Sequence, residues 1–203
     1  MKRCFATLAV LALSTSPSSS ALAADCVSAA MSVTATVSND PGFVGLWKYC
    51  ISGSWNVGAP PALSHINFYA GLQACECVCD PRVIKFDSPA GTSTGDPDNC
   101  KVVYNGEYLC NGDPSIPPEL QAPAVKFEYK SEACEPSTSG TGTWCFYSPL
   151  PPSPATVHPD AVVIKYGANN SCTGDLTGQL PSCDCQTDVR TKHTWGSLKL
   201  IYR

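Results

Sequence analysis

Ser32-Val33-Thr34-Ala35-Thr36-Val37-Ser38 alternates without a break, apolar at the odd positions and hydroxyl-bearing at the even ones. Successive side chains of a strand point to opposite sides, so this is a β-strand with one dry and one wet face. The pattern returns at 124–130, where Val125, Phe127 and Tyr129 face inward and Lys126, Glu128 and Lys130 outward. Residues 43–51 are apolar on both faces, with Trp47 and Tyr49 against Val44, Leu46 and Cys50, which suits a central strand. Further strands are expected at 64–70, 82–87, 101–105, 142–148 and 161–166.

Turn-rich stretches separate them: Ser88 to Asn99, Asn111 to Pro123, Pro149 to Asp160, and Gly167 to Gly178. The chain holds 18 prolines, which are kept out of central strands, and no helical period precedes residue 190. This predicts an all-β chain: an antiparallel β-sandwich of about eight strands, stapled by disulfides, with no internal domain boundary.

The first residues have a different character. A basic start (Lys2, Arg3), an apolar run from Phe5 to Leu13 and the triplet Ala21-Leu22-Ala23 read as a signal peptide over 1–23. The apolar run is about nine residues, where a membrane-spanning helix needs about twenty. A lipoprotein signal is not expected either, because Asp25 precedes Cys26 where a small residue is wanted. The expected organisation is therefore a leader over 1–23, a disulfide-rich sandwich over 24–186 and a basic tail over 187–203. No transmembrane segment is expected, and the location is extracellular or in the cell envelope.

The formal charge is −4, and cleavage of the leader removes two cations more. An acidic chain lacks the basic face that phosphate binding requires, so nucleic acid is not an expected partner.

Of 13 cysteines, Cys4 leaves with the leader and an even number remains. These are Cys26, Cys50, Cys75, Cys77, Cys79, Cys100, Cys110, Cys134, Cys145, Cys172, Cys183 and Cys185. The cluster Cys75-Glu76-Cys77-Val78-Cys79 and its echo Cys183-Asp184-Cys185 suit either thiolate metal binding or disulfides. Export favours disulfides. Alternate residues of one strand lie about 6.6 Å apart with parallel Cβ vectors, which is poor geometry for a bridge. Each of Cys75, Cys77 and Cys79 is thus expected to pair with another segment, with Cys183 and Cys185 as natural partners for two of them. Connectivity stays open.

No nucleophile elbow, zinc-protease helix, phosphate loop or dinucleotide fingerprint occurs. Adjacent strand residues face opposite sides, so Ser64 and His65 are not expected to form a nucleophile–base couple. His158 and His193 are given no role. Asp87, Asp96, Asp98 and Asn99 could offer oxygens to calcium, but Asp-Pro-Asp-Asn is ordinary turn chemistry. Glu128 with Glu132 or Glu135 is formally a glycosidase pair, but Glu128 is expected to face solvent. Among the aromatic residues, Trp55 in Gly53-Ser54-Trp55-Asn56 is the one expected in a loop, as a platform for ligand recognition. No catalytic residue, metal or cofactor is expected.

The tail carries Arg190, Lys192, Lys199 and Arg203 without an acid, and Thr194 could cap a short helix presenting Trp195, Leu198 and Tyr202. Its Trp-Gly-x-x-Lys-x-x-Tyr-Arg ending resembles the carboxy-terminal ends of other predicted exported bacterial proteins. That resemblance implies a sorting or attachment signal, with sorting machinery as a partner. The body, through Gly45-Leu46-Trp47-Lys48-Tyr49, Ser64-His65-Ile66 and Pro89-Ala90-Gly91-Thr92, resembles uncharacterised secreted bacterial β-sandwich proteins. The expected function is a non-catalytic structural, adhesive or surface-display role, with a cell-surface component or glycan as partner. The alternatives are a carbohydrate- or calcium-binding module and, third, a secreted hydrolase whose site is assembled from distant residues.

Overall fold

The computed structural model describes residues 24–58, 60, 62–69, 84–96, 98–130 and 134–181. The leader, the basic tail, Cys75, Cys77, Cys79, Cys183, Cys185, Glu132 and His193 lie outside the described residues.

Ten strands are formed by the described residues: β1 (Ala24–Val37), β2 (Trp47–Asn56), β3 (Leu63–Tyr69), β4 (Gly91–Asp96) and β5 (Cys100–Leu109), then β6 (Ala124–Tyr129), β7 (Glu135–Pro136), β8 (Ser139–Ser148), β9 (Val157–Tyr166) and β10 (Asn170–Gly178). Their order is β5-β6-β3-β9-β10-β1-β2-β8-β4, and β4 pairs back onto β5. The sheet therefore closes on itself as a nine-stranded barrel, with the short β7 attached to β4 beyond the end of its pairing with β8. The expected antiparallel β-sandwich is incorrect on two counts. There is one closed sheet in place of two packed ones, and it is mixed, because β1 and β10 run parallel.

A sandwich and a barrel share the same inward alternation, so strand periodicity does not separate them. Closure depends on pairing partners and on strands able to bend. Several inward positions are glycine: Gly91 and Gly95 on β4, Gly106 on β5, Gly140 and Gly142 on β8. Three of these lie against indole rings, Gly91 and Gly142 against Trp144 and Gly140 against Trp55. A Cβ on Gly142 would stand 2.6 Å from the Trp144 ring, and one on Gly140 2.7 Å from the Trp55 ring.

The barrel interior is filled by aromatic side chains. Trp144 is its centre, with ring centroids of Trp55, Phe68 and Tyr104 within 5.9 Å. Tyr49 stacks on Phe146, and Phe68 meets Phe127 edge-on. Each of these rings is essentially inaccessible to solvent. Fully burying one such side chain is worth about 1.5–3 kcal/mol, so the aromatic interior dominates the stability of the fold.

Three disulfides join described residues: Cys26–Cys172, Cys50–Cys145 and Cys100–Cys134. Cys110 is disulfide-bonded as well. The first bridge lies at the parallel seam between β1 and β10, and the second joins directly opposed residues of β2 and β8. No helix among the described residues is long and apolar enough to cross a membrane.

Candidate functional site

Two features of the outer wall stand apart from ordinary barrel surface. The first is a buried polar cluster where β3, β6 and β9 adjoin. In register, His65 lies between Glu128 of β6 and Lys165 of β9, and Asn67 between Lys126 and Val163. These positions would face solvent on a bare barrel, yet His65 is 3% exposed and Asn67 0%. The 14-residue connection from β5 to β6, residues 110–123, folds back as a strap and sets Asp113 against them.

Asp113 is itself only 1% exposed. Its Oδ2 lies 2.8 Å from His65 Nε2, accepts a hydrogen bond from Asn67 Nδ2 at 3.1 Å and stands 3.6 Å from Lys126 Nζ. Its Oδ1 accepts from the amide and hydroxyl of Ser115, the turn bonding typical of Asp. Further along the strap, Tyr69 donates its hydroxyl proton to the Leu120 carbonyl. The strap is thus held to the wall mainly by polar side chains of β3. Asn67 Oδ1 has no hydrogen-bond partner among the described residues.

Burial lowers the His65 pKa to about 4, and Lys126 and Lys165 push the same way against Asp113 and Glu128. Burial works to raise the Asp113 carboxyl, but bonds from Ser115 and Asn67 and the field of His65 bring it to about 2. Burial also lowers the pKa of Lys165, against the pull of Asp113. His65 is therefore neutral at physiological pH, and its Nε2–H donates to Asp113.

The register between β3 and β9 shifts between Leu63 and His65. Ser64 sits in that bulge, with its Oγ 3.3 Å from His65 Nδ1. Ser64 and His65 are therefore not held on opposite faces, because a bulge re-aims a side chain. The resulting Ser64–His65–Asp113 string has the order of an acyl-transfer relay. Two facts weigh against that chemistry. A base of pKa about 4 is too weak to take a hydroxyl proton near neutrality, and the imidazole is enclosed.

The second feature is a band of hydroxyls across β10, β1, β2, β8 and β4. Thr177, Ser32, Ser52, Thr143 and Thr92 lie side by side in register, and Ser54 and Thr141 form part of a second rank. Ser52 and Thr143 are hydrogen-bonded at 2.9 Å. Small residues of β2, β8 and β4, with Ala30 of β1, leave an open groove of about 690 Å³ over the Ser52–Thr143–Thr92 part of this band, with Asn99 and Lys101 on its border. It is continuous, through Ser52 and Gly53, with a second hollow that reaches Asp175. A shorter constellation, Asp40 with Lys48 and the Tyr147 hydroxyl, both at 2.7 Å, pins the β1–β2 turn to β8.

Trp55 does not lie in a loop. It is on β2, 1% exposed, with its Nε1–H donating to the Ser137 carbonyl, and so belongs to the barrel interior. Asp98 and Asn99 have positive φ in the tight β4–β5 connection, and Asp96 accepts from the Ser137 hydroxyl. With Asp87 they form no ligand set, and no three His, Cys, Asp or Glu side chains gather as metal ligands would among the described residues. Glu128 pairs with Lys126 at 3.5 Å, and Glu135 lies on β7. His158 contacts the Gly178 carbonyl. The His65 cluster escapes sequence reading because Asp113 lies 48 positions downstream in a proline-rich stretch. Its one signal is three polar side chains on the outer face of otherwise apolar strands.

Comparison of the chain with protein-family models, with curated proteins and with solved structures finds no match in any of the three.

Proposed function

We propose that the protein is a non-catalytic barrel module, secreted or held in the cell envelope, with a structural, adhesive or surface-display role. The observation that carries this reading is the hydroxyl-lined groove on the outer wall of a barrel whose interior is packed with aromatic rings. Such a molecule presents its polar chemistry outward, on rigid strands, where a large partner can reach it. Disulfides between segments far apart in sequence support a site of action in an oxidising compartment, since reducing compartments do not preserve them. The leader read at 1–23 supports the same location, and the basic tail at 187–203 is proposed as the attachment signal.

A carbohydrate partner remains the more specific form of this reading. It rests on Ser, Thr, Asn99 and Lys101 as hydrogen-bonding groups, since Trp55 and Trp144 offer no stacking surface.

The test is made on the full-length chain expressed in a bacterium. It should be cleaved after Ala23 and recovered with oxidised cysteines in the envelope or medium. Recovery in the cytoplasm with reduced thiols would overturn the location. Binding to an insoluble envelope-polysaccharide fraction should be lost on Thr143→Arg, which fills the groove from an exposed position. Unchanged binding by a folded Thr143→Arg protein would remove the groove from the proposal.

A further inference from the structure

We propose that the strap over 110–123 is an acid-released latch, held shut by neutral His65 against Asp113 and freed when His65 gains a proton. Charges from three elements gather around one imidazole. From the strap it faces Asp113 at 2.8 Å and the Ser115 hydroxyl at 3.4 Å. From β6 come Lys126 and Glu128, and from β9 comes Lys165. On its own strand lie Ser64 at 3.3 Å, then Asn67 and Tyr69, both of which bond the strap. Among the described residues, Asp113 is the one buried carboxylate in this set. Glu128 is exposed, whereas Lys165 is buried and Lys126 nearly so.

Asp113 is already committed to Ser115, Asn67 and Lys126 as well as to His65. A proton on His65 therefore adds a third cation to a site with one buried anion, at a depth where solvent screens charge poorly. Relief comes from lifting the strap, which lets solvent reach the imidazolium. The strap suits such a movement. Its first residue, Cys110, is fixed by a disulfide; beyond that its described anchors are side-chain bonds to the wall and the buried Ile116. Its internal backbone bonds are those of short turns and one 3-10 turn over Pro118–Leu120, so the movement is a swing about the Cys110 end that also exposes Ile116. Lifting it would lay open His65, Asn67 and Lys126, a polar patch otherwise hidden at neutral pH.

The sign follows from linkage. A histidine held below its ordinary value favours the closed state above about pH 6.5, and that preference is lost as pH falls toward 4. Between pH 7.5 and 4.5 the opening constant of the strap should rise on the order of 50-fold.

Amide hydrogen exchange on the full-length oxidised protein tests this, with rates divided by the intrinsic chemical rate at each pH. Expected is faster exchange for Ser115, Ile116, Leu120 and Gln121 than for β2 and β8 at both pH values, with the acid-dependent rise in the strap. His65→Gln, which keeps a donor for Asp113 but cannot titrate, should flatten that rise. Strap amides that open only together with β2 and β8, or that become better protected in acid, overturn the latch. Should His65→Gln fail to fold, the NMR titration of His65 in the unaltered protein decides. A midpoint below 6.5 accompanied by strap release supports the proposal, and one at or above 6.5 overturns it.

Discussion

Trp144 shows how much of this fold is decided atom by atom. Its ring is boxed by Trp55, Phe68 and Tyr104, and its edge passes over the missing side chain of Gly142. Adding one methyl there leaves nowhere for the ring to go, because close-packed interiors do not absorb an extra carbon without moving a neighbour. Gly142→Ala should cost about 1–3 kcal/mol, read as a fall of several degrees in the calorimetric melting temperature. Thr143→Ala, one residue on and exposed, should stay within about 0.5 kcal/mol of the parent. Equal effects from the two would show that the ring is not confined. The loop expected around Trp55 has a local cause. Gly53 and Ser54 look like turn punctuation, but Gly53 lies directly beneath the Ala30 carbonyl and Met31, where a Cβ would clash, so it marks a close strand approach.

At the scale of elements, the strands with large apolar side chains were legible and those without were not. β3 and β6 match their expected spans to within one residue and β8 to within three. By contrast β1 begins at Ala24 and not at Ser32, β2 lies over Trp47–Asn56 and not 43–51, and β9 begins at Val157 and not at Ala161. Of the strand expected at 82–87 the described residues make only the bridge between Lys85 and Tyr147. β4 reads Gly-Thr-Ser-Thr-Gly-Asp and β10 reads Asn-Ser-Cys-Thr-Gly-Asp-Leu-Thr-Gly. Both read as turn clusters in the sequence, because the inward positions of β4 are Gly91, Ser93 and Gly95 and β10 offers Leu176 as its one large apolar side chain, so their strand character comes from neighbours. β4 is also the strand that closes the barrel, so missing it meant missing the architecture. The strap was likewise read as a turn, which is correct for its backbone and silent about Asp113. Asp113→Ala would leave His65, Asn67 and Lys126 without their shared acceptor under the strap. Removing one partner of such a buried set costs about 3–5 kcal/mol, to be measured by urea denaturation. A loss below about 1 kcal/mol would mean that the strap is not tied down through this carboxylate.

For the whole molecule, the titrating groups define a pH range of greatest stability. His65 has a lower pKa folded than unfolded, so stability falls as pH drops from about 6.5 toward 4, by about 3 kcal/mol in all. Asp113 holds its contribution above about 3.8 and loses it as pH approaches 2. At the other extreme, burial raises Tyr69 and Tyr104 to about 12, and Tyr49 higher still. Their share is intact below pH 10 and fades as pH rises through the folded values. Denaturation midpoints measured across pH should therefore form a plateau between about 7 and 10. Constant stability down to pH 4 would contradict the burial of a neutral His65. One further property follows from the seam, where β1 lies parallel to β10 and is bridged to it by Cys26–Cys172. Among the described strands, the first to be synthesised has as its neighbour the last, with 146 residues separating the paired cysteines. Until that final strand emerges, the cylinder lacks a stave and its aromatic contents cannot be sealed. The order of synthesis thus keeps the growing chain open, and completion of the barrel waits on the last segment of the sheet to arrive.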